Sequence, residues 1–404
     1  MRIIVAFFAI LASIIPLFVN FTRAAPTHTP ILPPSYPLIV RNPYLSVWLP
    51  GNLVDYLPTA VPQFWNGQNL NTAIFARVGG NTYSLLGVPS RPSGVQAASV
   101  VSAEYMATHT IFTLTAGSAS IRLDFFSPVS PRNYLRQSLP YSYLTVSAFS
   151  AASVSVQVYL DLDESWTGQR GNTRHHLYNT NETSIWQMWV AGAATYAQNP
   201  QEQALWGAVT LASNPSNTST LTSSSGRLND IRNQFFTNGR LSGSNPPWAP
   251  GDVSALAHDL GRISSTSSVT FAIGYERRQA VNYLGNARAG YYRGMTAANV
   301  CAVCHFLDDY TDANRESLAF DSQLETRAAE YAGTNYSDIL ALSVRQVYGA
   351  TDLTIPADTL DTNNAMVFMK EISSDGNVNT SKFLPFPPPL LNHPQTFYFK
   401  TRKS

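Results

Sequence analysis

The chain has 404 residues, a formal net charge of +1 and only 13% charged residues. That length allows more than one domain, and the near-neutral balance offers neither a basic face for nucleic acid nor an acidic tail. Aromatic residues reach 12%, with 20 Tyr, 20 Phe and 7 Trp among many Ser, Thr and Asn, as in extracellular β proteins.

Arg2 is followed by an apolar run from Ile3 to Val19, and Thr22 and Ala24 put small residues at the minus-three and minus-one positions of a cut after Ala24. This is the layout of a secretory signal peptide over residues 1–24. As a membrane anchor the run is short, about 17 residues interrupted by Pro16, against the roughly 20 that a span needs. No later run is long enough to cross a bilayer. The expectation is a secreted protein, extracellular or cell-wall associated, with no membrane partner once the signal is removed.

A Pro-rich lead-in, 25–37, precedes VRNPYLSVWLPG (40–51) and LPTAVPQFWNGQNL (57–70), where turn residues alternate with Tyr44, Trp48, Phe64 and Trp65. These read as loops and short strands that pin aromatics into a core, with a ligand platform as the alternative. From Val78 to Tyr275 the period is two. Ile121, Leu123 and Phe125 alternate with Arg122 and Asp124, and Val154, Val156, Val158 and Leu160 alternate with small polar residues. Val269, Phe271, Ile273 and Tyr275 repeat the pattern. Short strands separated by Gly, Asn, Pro and Ser predict an antiparallel β-sandwich over 25–295. A layer packed on the outside of a sheet would require a strand apolar on both sides, and Ser142–Phe149 (SYLTVSAF) comes nearest to that. The sequons at Asn181, Asn217 and Asn335 are glycosylation candidates.

The period then lengthens. Val300, Val303, Cys304 and Leu307, then Ala313, Ser317, Phe320, Leu324, Ala328 and Tyr331, recur at three- and four-residue steps. They predict one long amphipathic helix or two, a linking segment over 296–333 that stops at Gly333. A second helix is expected from about Tyr336 to Tyr348. A third is expected to begin near Asp361 or Thr362, to use Ala365, Met366, Phe368, Met369 and Ile372, and to end by Gly376. Two or three helices do not close a helical domain, because their apolar faces need partners. The composition changes again after Thr380. Lys370 is the sole lysine before residue 381, whereas Lys382, Lys400 and Lys403 follow, together with Pro385, Pro387, Pro388, Pro389 and Pro394. Residues 381–404 therefore read as a disordered Pro/Lys-rich tail of different origin.

Several stretches together resemble the fungal secreted glutaminase A family. They are PPSYPLIVRNPYLSVWLPG, FWNGQNL, SPVSPRNYLRQSLPYSYLTVS, DESWTGQ, LSGSNPPW with APGDVSALAHDLG, VNYLGNARAGYY, CHFLDDY, and NYSDILALSVRQ through KEISSDGNVNT. The resemblance covers about Pro33 to Thr380. It implies a mainly β fold with an α C-terminal segment: a β-sandwich followed at 334–380 by the first helices of an α/α-toroid, related to six-hairpin glycosidases. It also implies extracellular hydrolysis of L-glutamine to L-glutamate and ammonia. Family members run on well beyond GNVNT, with an acidic segment where the catalytic groups are expected. The resemblance and the lysine-poor composition stop together at Ser381, and AGT-AAG, one way to encode Ser381-Lys382, contains a splice-donor sequence. The expectation is therefore a truncated gene model or a read-through into an intron, and an inactive chain.

Amide hydrolysis needs an activated water or nucleophile, a proton donor for the leaving ammonia and a stabilised oxyanion. Asp352, Asp358, Asp361, Lys370, Glu371 and Asp375 are the titratable groups of the last segment. Glu371, Asp375 and Asp361 are the weak catalytic candidates, since Glu371 and Asp375, four apart, would share a face on a continued helix. Against that, SSDGN reads as a helix stop, with Glu371 solvated or capping and Asp375 in an Asx turn. Cys301-Ala-Val-Cys304-His305 matches a c-type haem attachment pattern, but nothing else suggests haem. A short local disulfide and a pair of core thiols both stay open. His175-His176 lacks acidic partners at ligand spacing and reads as an exposed loop. No cofactor and no metal site is read. The alternatives are a carbohydrate or cell-wall binding module using Trp48, Trp65, Trp166 or Trp248, which would show as a coplanar exposed pair, or a fragment of a six-hairpin glycosidase.

Overall fold

The computed structural model describes residues 26–180, 182–216, 218–295 and 301–370, and the backbone of 378–381. Two large sheets form the body. A nine-stranded sheet runs in the order 27–29, 99–105, 109–116, 119–126, 141–149, 267–276, 208–213, 184–190, 173–179, and a six-stranded sheet runs 220–227, 252–263, 154–163, 72–78, 81–86, 95–97. Each sheet is antiparallel apart from one parallel edge pair. Side chains alternate across each pleat, so one residue in two faces inward. Ile121, Leu123, Val146 and Phe271 of the first sheet share one core with Ile74, Val158, Leu160 and Leu256 of the second, all 2% exposed or less. Register keeps these rows opposed: Leu123 lies across from Val146, and Val146 across from Val269. Each such side chain stabilises the fold by about 1.5–3 kcal/mol through burial.

Both sheets also carry cover on their outer faces. Helix α1 (Tyr134–Ser138) is a single turn between strands, capped by Asn133. Helix α2 (Leu228–Asn238) lays Ile231 and Phe235 against Phe75, Tyr159 and Val253 of the six-stranded sheet, and Gly239 at φ 68° ends it in the left-handed conformation. From the same helix, Arg232 reaches the buried Asp161, with Nε to Oδ2 at 2.7 Å. Helices α3 (Tyr292–Met295) and α4 (Ala302–Asp308) cover the nine-stranded sheet, where Phe306 stacks on Tyr143 with ring centroids 3.8 Å apart. The strand expected to be apolar on both sides, SYLTVSAF, is therefore the one that α4 covers. Cys301 caps α4 and is joined to Cys304 by a disulfide.

Helix α5 (Tyr310–Ala332) turns through Gly333, φ 84°, into α6 (Thr334–Gly349). Sequence periodicity located both, with the break between α4 and α5 at Asp309. Small or polar residues form the inner row of α5, namely Ala313, Ser317, Asp321 and Ala328, while Tyr331 is 83% exposed. Arg136 and Arg345 tie this layer down, and Arg41 holds the α1 segment from which Arg136 reaches. Arg136 pairs with Asp309 at 2.6 Å and with Glu316, Arg345 Nε donates to the carbonyl of Ala107 at 2.7 Å, and Arg41 donates to three carbonyls, of Pro128, Arg136 and Leu139. Among the described residues, no helix is long and apolar enough to cross a membrane.

Over its described residues, up to Lys370, the third expected helix is absent, and Ile372 and Gly376 lie outside the described residues. Residues Thr351–Pro356 and Met366–Lys370 are antiparallel strands joined by a loop with a short 3-10 turn at Thr362–Asn364. They belong to a five-stranded sheet ordered 281–283, 286–290, 351–356, 366–370, 378–381. Val367 and Phe368 favour extended backbone. Asn286–Gly290 pairs with Thr351–Pro356, which in turn pairs with Met366–Lys370, an interaction between distant residues that the helical spacing of Met366, Phe368 and Met369 does not report. A smaller sheet, 35–42, 45–50 and 63–64, holds the aromatic N-terminal segment.

Candidate functional site

Of the acidic candidates, Asp361 is exposed and occupied as a cap, its Oδ1 accepting from Asn363 N at 2.9 Å and from Asn363 Nδ2 at 3.1 Å. Glu371 and Asp375 lie outside the described residues, as do Asn181 and Asn217. Asn335 is exposed on the first turn of α6. His175 and His176 sit on a strand, Thr173–Asn179, and not in the exposed loop expected. His175 stacks on Trp186, its Nε2 donates to the carbonyl of Pro246 at 2.9 Å, and burial lowers its pKa. Among the described residues no group of three His, Cys, Asp or Glu is placed to hold a metal. Nor do the four tryptophans form an exposed coplanar pair. Trp166 is 6% exposed, Trp48 donates to Ser46, Trp65 packs on Phe64, and Trp248 meets His175 edge-on.

What the fold does bring together lies where the five-stranded sheet meets the body. Arg277 ends the strand Ser267–Glu276, Tyr44 comes from the turn between 35–42 and 45–50, and Asp352 and Lys370 come from the C-terminal strands. Arg277 Nη2 pairs with Asp352 at 2.6 Å, and Lys370 Nζ pairs with Glu202 at 2.8 Å. Both cations also lie 4.7 Å from the Tyr44 ring centroid, within cation–π range. Burial disfavours the charge on Arg277, but Asp352 more than offsets this and its pKa ends above the ordinary value. Burial pushes Tyr44 up to about 12, so its hydroxyl stays protonated and accepts from Gln198 Nε2 at 2.7 Å.

Beside this cluster opens a cavity of about 610 Å³, within the roughly 300–1,000 Å³ of ordinary small-molecule sites. Thr195, Trp206, Arg278, Gln279 and Arg293 line the side belonging to the body. Ala357 and Leu360 line the other, on the loop after Thr351–Pro356. The Trp206 indole is fixed by its Nε1 donating to the Gln279 carbonyl at 2.8 Å and by edge contacts with Tyr44 and Tyr196. Gln279 Oε1 accepts from the Tyr196 hydroxyl at 3.0 Å. Non-glycine residues with left-handed backbone gather here: Tyr196 at φ 67°, Glu202 at 61° and Leu360 at 53°. Such conformations are costly and mark segments whose shape is held by their surroundings.

The sequence reading selected Asp352 and Lys370 but passed over Arg277, Arg278, Gln279 and Trp206. A signal was present: ERRQ, 276–279, puts two adjacent arginines at the end of an apolar strand, in a chain with few charges. Their partners lie more than 70 residues away, as with Arg277 and Asp352 at a separation of 75. Spacing along the chain therefore does not reveal them.

Comparison with known proteins gives two matched regions. Residues 108–327 match a domain family of unknown function, DUF5127, and residues 333–400 match the Glutaminase A six helical-hairpin domain. Glutaminase A of Aspergillus oryzae is 32% identical over 90% of this chain and 54% of that protein. A probable glutaminase of Arthroderma benhamiae is 28% identical over 87% of this chain and 44% of that protein. The chain thus spans about half the length of the curated relatives it matches. Among solved structures, a putative kojibiose phosphorylase from human microbiome is similar at 8% identity and TM-score 0.28, covering 79% of this chain and 40% of that one. That superposition is too distant to carry an argument.

Proposed function

Because this chain belongs to the glutaminase A family, we propose that it is the N-terminal part of a secreted amidohydrolase that converts L-glutamine and water to L-glutamate and ammonia. On this reading the two facing sheets are the β-sandwich of the family, and α6 opens its α/α-toroid. The leader-like residues 1–24 support export, and exposed Asn335 is a glycan acceptor on the exported chain.

One observation carries the proposal. The cavity lies across the seam between the two matched regions, with Arg278, Gln279, Arg293 and Trp206 from 108–327 and Ala357 and Leu360 from 333–400. A cavity of this volume with a few convergent polar groups is the default place to look for a small-molecule site. The lining supplies guanidinium and amide donors, which hold carboxylate and carbonyl oxygens, and an indole wall that excludes water from an aliphatic arm. It supplies no group suited to taking up and returning a proton near neutral pH. General acid and base are therefore assigned to residues outside this lining. Glu371 and Asp375, which follow Lys370 of the adjoining cluster in sequence, remain the proposed acidic candidates.

Expressed by themselves, residues 25–404 are accordingly expected to bind and not to turn over. An ammonia-release assay with L-glutamine should give rates far below those of a full-length relative. Turnover comparable to that relative would overturn the assignment.

A further inference from the structure

We infer that the seam cavity is an anion site for an amino-dicarboxylate, and that it holds L-glutamate in preference to L-glutamine. The choice of ligand rests on the glutaminase reading; the preference for an anion rests on charge placement alone.

Among the described residues, the carboxylates near the cavity each have a partner. Asp352 is held by Arg277 and Glu202 by Lys370. Glu276 Oε1 accepts from the Thr210 hydroxyl at 2.6 Å and from Gln187 Nε2 at 3.3 Å. On the loop that closes the cavity, Asp358 accepts from the Thr359 amide at 2.8 Å and Asp361 caps Asn363. Two guanidiniums remain in the lining. Arg278 is exposed, and among the described residues it forms no ion pair with a carboxylate; Arg293 is half-buried and shares a hydrogen bond with the Tyr292 hydroxyl. Among the described residues these two arginines are the charged groups of the lining itself, so the wall a ligand touches presents cations and no carboxylate.

L-Glutamine carries no net charge at neutral pH and L-glutamate carries one negative charge. The two differ at the end of the side chain, where a carboxylate replaces a carboxamide. A guanidinium fork binds a carboxylate through two parallel hydrogen bonds and a carboxamide oxygen through one, while the amide nitrogen meets only other donors. Trp206, immobilised by Gln279 and flanked by Tyr196, provides the flat wall against which the methylene arm lies. The cavity is therefore a product-type site, one that fills as glutamate accumulates.

The test is calorimetric titration of the purified chain with L-glutamate, L-glutamine and inorganic phosphate, repeated on Arg278→Gln and Arg278→Lys. Arg278 is exposed, so its replacement leaves the fold intact, and an unchanged thermal midpoint checks this. The expected result is glutamate binding at least about tenfold tighter than glutamine, on the scale of one charge-assisted hydrogen bond. Arg278→Gln should abolish that preference and Arg278→Lys should restore part of it. Equal binding of both amino acids, or a preference unmoved by Arg278→Gln, overturns the anion preference and leaves the glutaminase reading standing. Binding of phosphate without glutamate, or of no ligand at all, overturns the dicarboxylate site itself.

Discussion

Replacing Asp321 by Asn should flatten the pH dependence of this fold's stability on the acid side of neutrality. Asp321 projects from α5 into the body and is 5% exposed. One carboxylate oxygen accepts from the Thr108 hydroxyl at 2.6 Å, and the other has no hydrogen-bond partner among the described residues. Around it stand His109, whose Nδ1 donates to Asp124 at 2.9 Å, the Ser317 hydroxyl, and Arg345 of α6, which burial lowers to about 10. Burial pushes the Asp321 carboxyl from 3.8 up to about 6, because it outweighs the hydrogen bond from Thr108 and the attraction of His109 and Arg345. A carboxyl whose pKa is raised on folding binds its proton more tightly in the folded state. Its ionisation is then a penalty, fully present above about 6 and relieved as pH falls toward the unfolded value. A shift of two units corresponds to about 3 kcal/mol, of which about 2 kcal/mol separates about pH 7.5 from about pH 4.5. Asparagine keeps the shape and still accepts from Thr108, but it does not titrate. Urea unfolding of both proteins at the two pH values measures the difference. The variant should gain about 2 kcal/mol relative to the parent on going from the lower to the higher pH. Parallel behaviour of the two proteins would refute the placement of an ionisable group in that interior.

Phe306→Ala should cost about 3–5 kcal/mol in urea unfolding, because its ring, fully buried, packs on both Tyr143 and Tyr141 and holds α4 to the nine-stranded sheet. Phe306→Leu should cost less than half of that. Gly349→Ala should destabilise by about 1–3 kcal/mol, since the added Cβ would lie 2.2 Å from Val40 Cγ1 at the end of α6. A thermal midpoint unchanged by that substitution would mean that α6 does not rest on the strand Ser35–Asn42.

Reading the sequence located what is periodic and local. The alternation Ile121, Leu123 and Val154 to Leu160 is the core of two facing sheets, and the three- and four-residue steps after Thr296 are α4 and α5. It misread Met366 to Lys370, where the apolar residues fit a helix as well as a strand and the deciding partner, Thr351–Pro356, is itself fixed by pairing with the distant Asn286–Gly290. The seam cavity was hidden for the same reason. Trp206, Arg278 and Leu360 share no spacing, and pairings between distant segments, such as Gly290 with Thr354, bring their loops together. His175 was misplaced because its strand, TRHHLYN, is mostly polar and exposed and lacks a clean apolar alternation, although the ring lies against Trp186.

That pairing also bears on how the two matched regions relate. The strands 281–283 and 286–290 fall within 108–327, yet they form one sheet with 351–356 and 366–370, which fall within 333–400. The family boundary at about residue 330 is thus a boundary in sequence and not in packing. A chain ending at Ala332 would strip Asn286–Gly290 of one of its two hydrogen-bonded neighbours and leave an open edge. It would also leave Arg277, with 4% side-chain exposure, without the Asp352 carboxylate. Losing one partner of a buried pair costs about 3–5 kcal/mol, a large part of the stability of any single domain. The shortened chain should therefore unfold well below the full one in a thermal melt, or aggregate. Should residues 25–332 melt cooperatively at the same temperature as 25–404, the shared sheet contributes nothing to the body, and the cavity beside it loses the rigid wall on which its proposed selectivity depends.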